Sequence, residues 1–173
     1  MILSVENGEG LPNSNSYISL TDIENYLPST IKEKWDLLSD DEKNDRLIIA
    51  SMFIDYSFNW IGQRKTLEQG LNFPRKNIVF QGHEIPDNYI PAQVKKACAM
   101  AVNLLINCGI DFFQETGEAQ VKKEKLGAME TEYFEALKSQ FDYNTQFNDL
   151  NNILRGFYNM PSKGVITAEV LRK

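Results

Sequence analysis

Trp60-Ile61-Gly62, Gln69-Gly70-Leu71-Asn72-Phe73-Pro74-Arg75, Gly82-His83-Glu84-Ile85-Pro86 and Ile90-Pro91-Ala92-Gln93-Val94-Lys95-Lys96-Ala97 form one tight block between Trp60 and Ala97. Glycine and proline punctuate it. They fix turns and helix starts and carry no chemistry of their own. The block therefore specifies a shape, and no reactive set stands around it. That combination points to a structural or binding protein before an enzyme.

On the N-terminal side of the block, Ser39-Asp40-Asp41-Glu42 is a capping-box signature. It predicts a long helix to about Phe58. Leu47, Ala50, Phe53 and Ile54 recur at helical spacing, and Ile48, Ile49 and Met52 widen the apolar face. A helix this apolar is expected to be buried on several sides. On the other side, Pro91 suits the first turn of a second helix. Val94, Cys98, Ala101, Leu105 and Cys108 form its stripe, and Gly109 is its stop. Between the two helices, residues 61–90 read as an ordered loop. It includes a short hairpin in which Ile78-Val79-Phe80 leads to a Gln81-Gly82 turn.

Farther out, residues 1–20 read as an extended arm, turn-rich at Gly8, Gly10, Pro12, Asn13 and Asn15, with Tyr17, Ile18 and Leu20 as anchors. Thr21 is a candidate N-cap for a short helix ending before Pro28, and Thr30 for a second one carrying Ile31, Trp35 and Leu38. Residues 120–134 read as a β-hairpin with a mostly basic first arm and an acidic second arm. Lys and Glu favour a helix there, but Gly127 disfavours one. A last short helix is expected over 146–157, with Phe147, Leu150, Ile153, Leu154 and Phe157 on one side. The fold class expected is mainly α: a compact helical bundle with a small β-hairpin and extended N- and C-terminal arms. One helical domain would span 1–160, followed by an extended tail over 161–173.

The 173 residues suit a single domain with a real core. A net charge of -6 argues against a general nucleic-acid binder, which usually carries a basic surface, although it leaves room for a local basic patch. Two cysteines, Cys98 and Cys108, are too few for a disulfide framework and read as small buried hydrophobes in a reducing compartment. The opening Met1-Ile2-Leu3-Ser4-Val5-Glu6 lacks the basic and apolar regions of a signal peptide. No apolar stretch approaches the ~20 residues that span a bilayer.

The search for chemistry finds little. The one histidine, His83, sits beside a glycine in an expected turn, with no nucleophile elbow to use it. Zinc needs several Cys or His ligands at set spacings, and these are missing. A phosphate-binding Gly-x-x-x-x-Gly-Lys-Ser/Thr loop is absent, and Gly8-x-Gly10 is too short for a dinucleotide fingerprint. Asp40, Asp41 and Glu42 are explained by the helix dipole without a metal. No catalytic residue, cofactor or metal is expected. Two basic–aromatic groupings could hold a single strand: Lys122, Lys123 and Lys125 near Tyr133, and Arg64, Lys65, Arg75 and Lys76 around Phe73. Glu124, Glu130 and Glu132 share the hairpin and would oppose phosphate, so a solvated charged face is the favoured reading there.

Taken together, several blocks resemble a phage "DnaT-like" family whose members look like head–tail connector proteins. In order they are Gly10-Leu11-Pro12-Asn13-Ser14-Asn15-Ser16-Tyr17, Phe58-Asn59-Trp60-Ile61-Gly62, Gln69 to Arg75, Gly82 to Pro86, Ile90 to Ala97, and Val121-Lys122-Lys123-Glu124-Lys125-Leu126-Gly127 with Glu130 and Tyr133. Phe73 stands where a tryptophan is common, and the Asn/Gln-rich stretch within 135–152 matches nothing. The resemblance implies a structural adaptor in the virion neck, assembled in the host cytoplasm. It implies a ring, usually twelvefold, between the portal protein and the tail or next neck ring, with double-stranded DNA passing through the lumen unbound. The expected portal-docking tail is Val165, Ile166, Val170, Leu171, Arg172 and Lys173. The expected inter-subunit hairpin carries Lys122, Lys123, Lys125, Glu130, Glu132 and Tyr133. Trp60, Phe73, Pro74, Ile85, Pro86 and Pro91 are expected scaffold residues. The family label also carries another reading, a DnaT-like single-stranded DNA binder that uses the lysines of the hairpin.

Overall fold

The computed structural model describes residues 2–109, 124–126, 129–131 and 148–159. Four helices are α1 (Leu20–Ile23), α2 (Ser29–Asp36), α3 (Asp40–Ser57) and α4 (Ala92–Cys108), and a fifth, α5, covers 148–154. The strands pair two by two and antiparallel: β1 (Gln63–Arg64) with β2 (Arg75–Lys76), β3 (Ile78–Phe80) with β4 (His83–Ile85), and β5 (Glu124–Leu126) with β6 (Met129–Thr131).

The two long helices are locally encoded. Ser39 Oγ accepts from the Glu42 amide, and the Glu42 carboxylate accepts from the Ser39 amide at 2.9 Å, so two orphan donors of the first turn of α3 are met. Pro91 precedes the first turn of α4, and Gly109 closes it in the left-handed region at φ 59°. Leu47, Ile48, Ala50, Phe53 and Ile54 are all buried, which takes in more than one face of α3. Small residues on α4, Ala97, Cys98 and Ala101, let α3 come close, and Ser51 Oγ lies 3.8 Å from Cys98 Sγ across the seam. Trp35 of α2 and Leu150, Leu154 and Phe157 at and after α5 close the same core. At about 25 cal/mol per Å² of apolar surface removed from water, this cluster is the main source of stability.

The short helices start earlier than the sequence predicts. Ser19, not Thr21, caps α1 by accepting from the Asp22 amide at 3.0 Å. Pro28, not Thr30, precedes α2. The β3–β4 turn uses Gln81 and Gly82 at φ 50° and 84°, the backbone that a two-residue hairpin of right-handed twist requires.

The helical-bundle expectation is overturned: the described residues form a mixed α/β fold. Between α3 and α4, residues 58–91 contain no helix and carry two of the three ladders. That stretch is organised by side chain-to-backbone bonds, which helical periodicity cannot reveal. Nor is the N-terminal segment an arm. Ser16, Tyr17 and Ile18 are fully buried, and Val5 bridges Ser16 through the Glu6 amide to Ser16 carbonyl bond of 2.9 Å. The segment folds on itself and then enters the core. The β5–β6 pair falls within the expected 120–134 hairpin. The tail expected over 161–173 lies outside the described residues.

Candidate nucleic-acid interface

The β1–β2 ladder sets two arginines opposite each other, Arg64 against Arg75. Like charges in register repel, and the fold separates their tasks. Arg75 turns into the body, where it is 8% exposed. Its Nε donates to the Ile61 carbonyl at 2.7 Å, one terminal nitrogen to Gly62 at 2.8 Å, and the other to Asn72 at 3.3 Å. Burial pulls its pKa below the usual guanidinium value, and Arg64 adds to the effect. Arg64 donates to the carbonyls of Gln69 and Leu71. Buried Gln69 donates to Leu71 at 2.7 Å and Pro74 at 3.0 Å, and accepts from the Thr66 amide at 2.8 Å. Three side chains thus satisfy the carbonyls of a loop that has almost no ladder of its own.

The N-terminal segment lies across this loop. The Glu6 carboxylate, nearly buried, accepts from the amides of Gly8 at 2.9 Å, Gly10 at 2.8 Å and Leu11 at 2.8 Å. Lys65 reaches the Gly8 carbonyl at 2.9 Å and Glu9 at 3.5 Å. The Gly70 amide donates to the Leu11 carbonyl at 2.9 Å. A Cβ on Gly70 would stand 2.3 Å from the Ser14 carbonyl oxygen, so only glycine admits this approach.

Beneath the loop sits a buried polar node. The Tyr17 hydroxyl donates to the Asp55 carboxylate and accepts from the Phe73 amide at 3.1 Å. The same carboxylate accepts from the Asn72 amide at 2.8 Å, and the Asp55 carbonyl accepts from Trp60 Nε1 at 3.2 Å. Burial raises the Asp55 carboxyl above its ordinary value, against the lowering effect of these donors. Burial, then the Asp55 charge, pushes Tyr17 well up. Burial likewise pushes the Cys98 thiol up to about 12, so it is no thiolate nucleophile at neutral pH. Helical periodicity does not reveal this node. Its one trace was an aspartate inside the apolar run of α3.

The expected site residues fall in different places. Trp60, Phe73, Pro74 and Pro91 are buried, Ile85 is half-buried and Pro86 is exposed. Phe73 is fully enclosed, edge-on to Tyr17, Trp60 and Phe157. It therefore cannot stack a base, and the basic grouping around it breaks up. Arg64, Arg75 and Lys65 are held by carbonyls, whereas no hydrogen bond or ion pair engages the Lys76 ammonium among the described residues. In β5, Lys125 stands opposite Glu130 of β6. Lys122, Lys123, Glu132, Tyr133 and the tail residues Val165, Ile166, Val170, Leu171, Arg172 and Lys173 lie outside the described residues.

Where the chain leaves β4 it passes the corner between β2 and β3, and an open cleft of about 450 Å³ lies between them. Lys76, Asn77, Glu84, Ile85, Pro86 and Asp87 line it. Among the described residues no group of three or more His, Cys, Asp or Glu could hold a metal, and no helix is long and apolar enough to cross a membrane.

Over residues 1–173 the sequence matches the family described as "Putative DnaT-like ssDNA binding protein". No curated protein matches the chain, and no solved structure does. The family match is to single-stranded DNA binding and not to a head–tail connector, so it overturns the connector resemblance. The portal and neck partners, the dodecameric ring, the virion setting and the lumen for unbound duplex DNA rested on that resemblance and go with it. With the N-terminal segment, the α3–α4 body and the C-terminal third all inside the match, the chain belongs to the DnaT-like single-stranded DNA binding family.

Proposed function

We propose that this protein binds single-stranded DNA and catalyses no reaction. The family match over the whole chain carries the reading. A net charge of -6 means that phosphate must be met locally, not by the surface as a whole. The densest cationic run is Lys122-Lys123-Glu124-Lys125, and it supports a backbone contact there. Many cations of the described body are already engaged: Lys32 with Glu24, Lys65 with Glu9, Lys95 with Asp22, and Arg64 and Arg75 with carbonyls.

The test is a fluorescence anisotropy titration of a labelled oligo-dT strand and its duplex form, repeated from about 50 to about 200 mM salt. The single strand should bind more tightly than the duplex. Its log affinity should fall with log salt by about 0.7 for each phosphate contacted. The triple variant Lys122→Ala, Lys123→Ala, Lys125→Ala should lose about tenfold or more in affinity. Absence of single-strand binding by the wild-type protein at low salt would sink the proposal.

A further inference from the structure

We propose that the cleft between the β2–β3 corner and the exit of β4 is a base-reading subsite, which takes one nucleotide of a single strand whose base carries an exocyclic amine. The inference rests on the single-strand-binding reading and goes beyond it by naming a second contact, on the body, and its preference. Three formal charges line the cleft, Lys76, Glu84 and Asp87, and no ion pair joins any of them to a partner among the described residues. Groups of both signs that stay apart in one cleft are available to a ligand of mixed character. A nucleotide has that character: an anionic phosphate for Lys76, and amine hydrogens on the base edge for the two carboxylates.

The surroundings fit. Half-buried Ile85 and the exposed ring of Pro86 supply a small apolar edge beside the charged groups. The cleft, about 450 Å³, is open to solvent, so a flexible strand can lay one nucleotide against it without being enclosed. The site is also built on fixed backbone. Lys76 follows Arg75, whose guanidinium is pinned to Ile61 at 2.7 Å and Gly62 at 2.8 Å. Asn77 turns the corner at φ 58°, and Gly62 packs so close that a Cβ there would stand 2.4 Å from the Lys76 carbonyl oxygen. The frame fixes where the Lys76 side chain starts, and that side chain stays free to reach a phosphate.

The carboxylates set the preference. Asp and Glu accept from cytosine N4, the amine that pairs with guanine in a duplex. Thymine offers only an N–H set between two carbonyl oxygens, which repel the carboxylates. Cytosine should therefore bind more tightly than thymine, a pyrimidine of the same size.

Oligo-dC and oligo-dT of equal length, titrated into the full chain at neutral pH, test this. Wild type should favour oligo-dC by about tenfold. Glu84→Ala with Asp87→Ala should bring that ratio close to one without weakening oligo-dT. Lys76→Ala should weaken both strands and lower the salt slope by about 0.7, and Lys76→Arg should restore both. Melting curves that coincide with wild type show that the variants are folded. Equal binding of the two strands by wild type, or wild-type behaviour of either alanine variant, overturns the subsite. In that case, loss of binding in the Lys122, Lys123 and Lys125 triple variant would leave the single-strand-binding reading intact. A wild-type protein that binds neither strand overturns both.

Discussion

Arg75 does the work of a missing ladder. Its guanidinium serves the carbonyls of Ile61, Gly62 and Asn72, which have few backbone partners in so short a strand pair. Arg75→Ala should leave these acceptors unpaired in a buried place and cost about 3 kcal/mol, read as a lower urea midpoint. Arg75→Lys keeps the charge but not the fork, so it should fall between the two. Asp55 has the opposite balance. Burial raises its pKa above the unfolded value, so its proton stabilises the fold at low pH, and that contribution is lost as pH rises through the raised value. Asp55→Asn keeps an acceptor for Tyr17 and Asn72 without a buried charge. Urea melts should therefore show wild type gaining on Asp55→Asn as pH falls from about 7 to about 4. A pH-independent difference between them would remove Asp55 as the titrating group.

At the scale of the element, α3 depends on its first turn. Ser39→Ala removes one half of the capping box and should cost about 1 kcal/mol. The Ser39 amide and hydroxyl hold the Glu42 carboxyl below its usual pKa. Its share is therefore present above the unfolded pKa and lost as pH falls through the depressed one. The Ser39→Ala penalty should shrink in acid, which thermal melts at two pH values would reveal. The loop over 62–76 depends instead on contact with the N-terminal segment. Gly70→Ala would drive a Cβ to 2.3 Å from the Ser14 carbonyl. It should destabilise by about 2 kcal/mol, with hydrogen exchange rising first in residues 4–16. The two elements differ in how far they are legible in sequence. The cap was legible because its four residues are consecutive. The Gly70 contact was not, because its partner lies far back in the chain.

For the whole molecule, the N-terminal segment is part of the core and not an appendage. Tyr17 and Ile18 are fully buried, and Tyr17 carries the hydrogen bond to Asp55 across 38 residues of sequence. A chain lacking residues 1–18 should therefore lose its cooperative thermal transition. A truncated protein that melts as wild type does would refute this placement. The anchors expected at Tyr17 and Ile18 are in place, but the residues before them fold back on the body and do not extend from it.

The sequence by itself determined α3 and α4, their starts and stops, and the Gln81-Gly82 turn. Each is written in bonds between residues at most a few positions apart, so cap, periodicity and punctuation suffice. It also held the apolar residues of the core, though not their arrangement. Only the tertiary structure decided that Arg75 and Asp55 are interior, that Phe73 is closed to a base, and that Lys76 meets Glu84 and Asp87 around one cleft. Those outcomes depend on which carbonyls a side chain can reach after the chain has folded back. Charge and spacing look the same in sequence whether a guanidinium faces water or the backbone of its own loop.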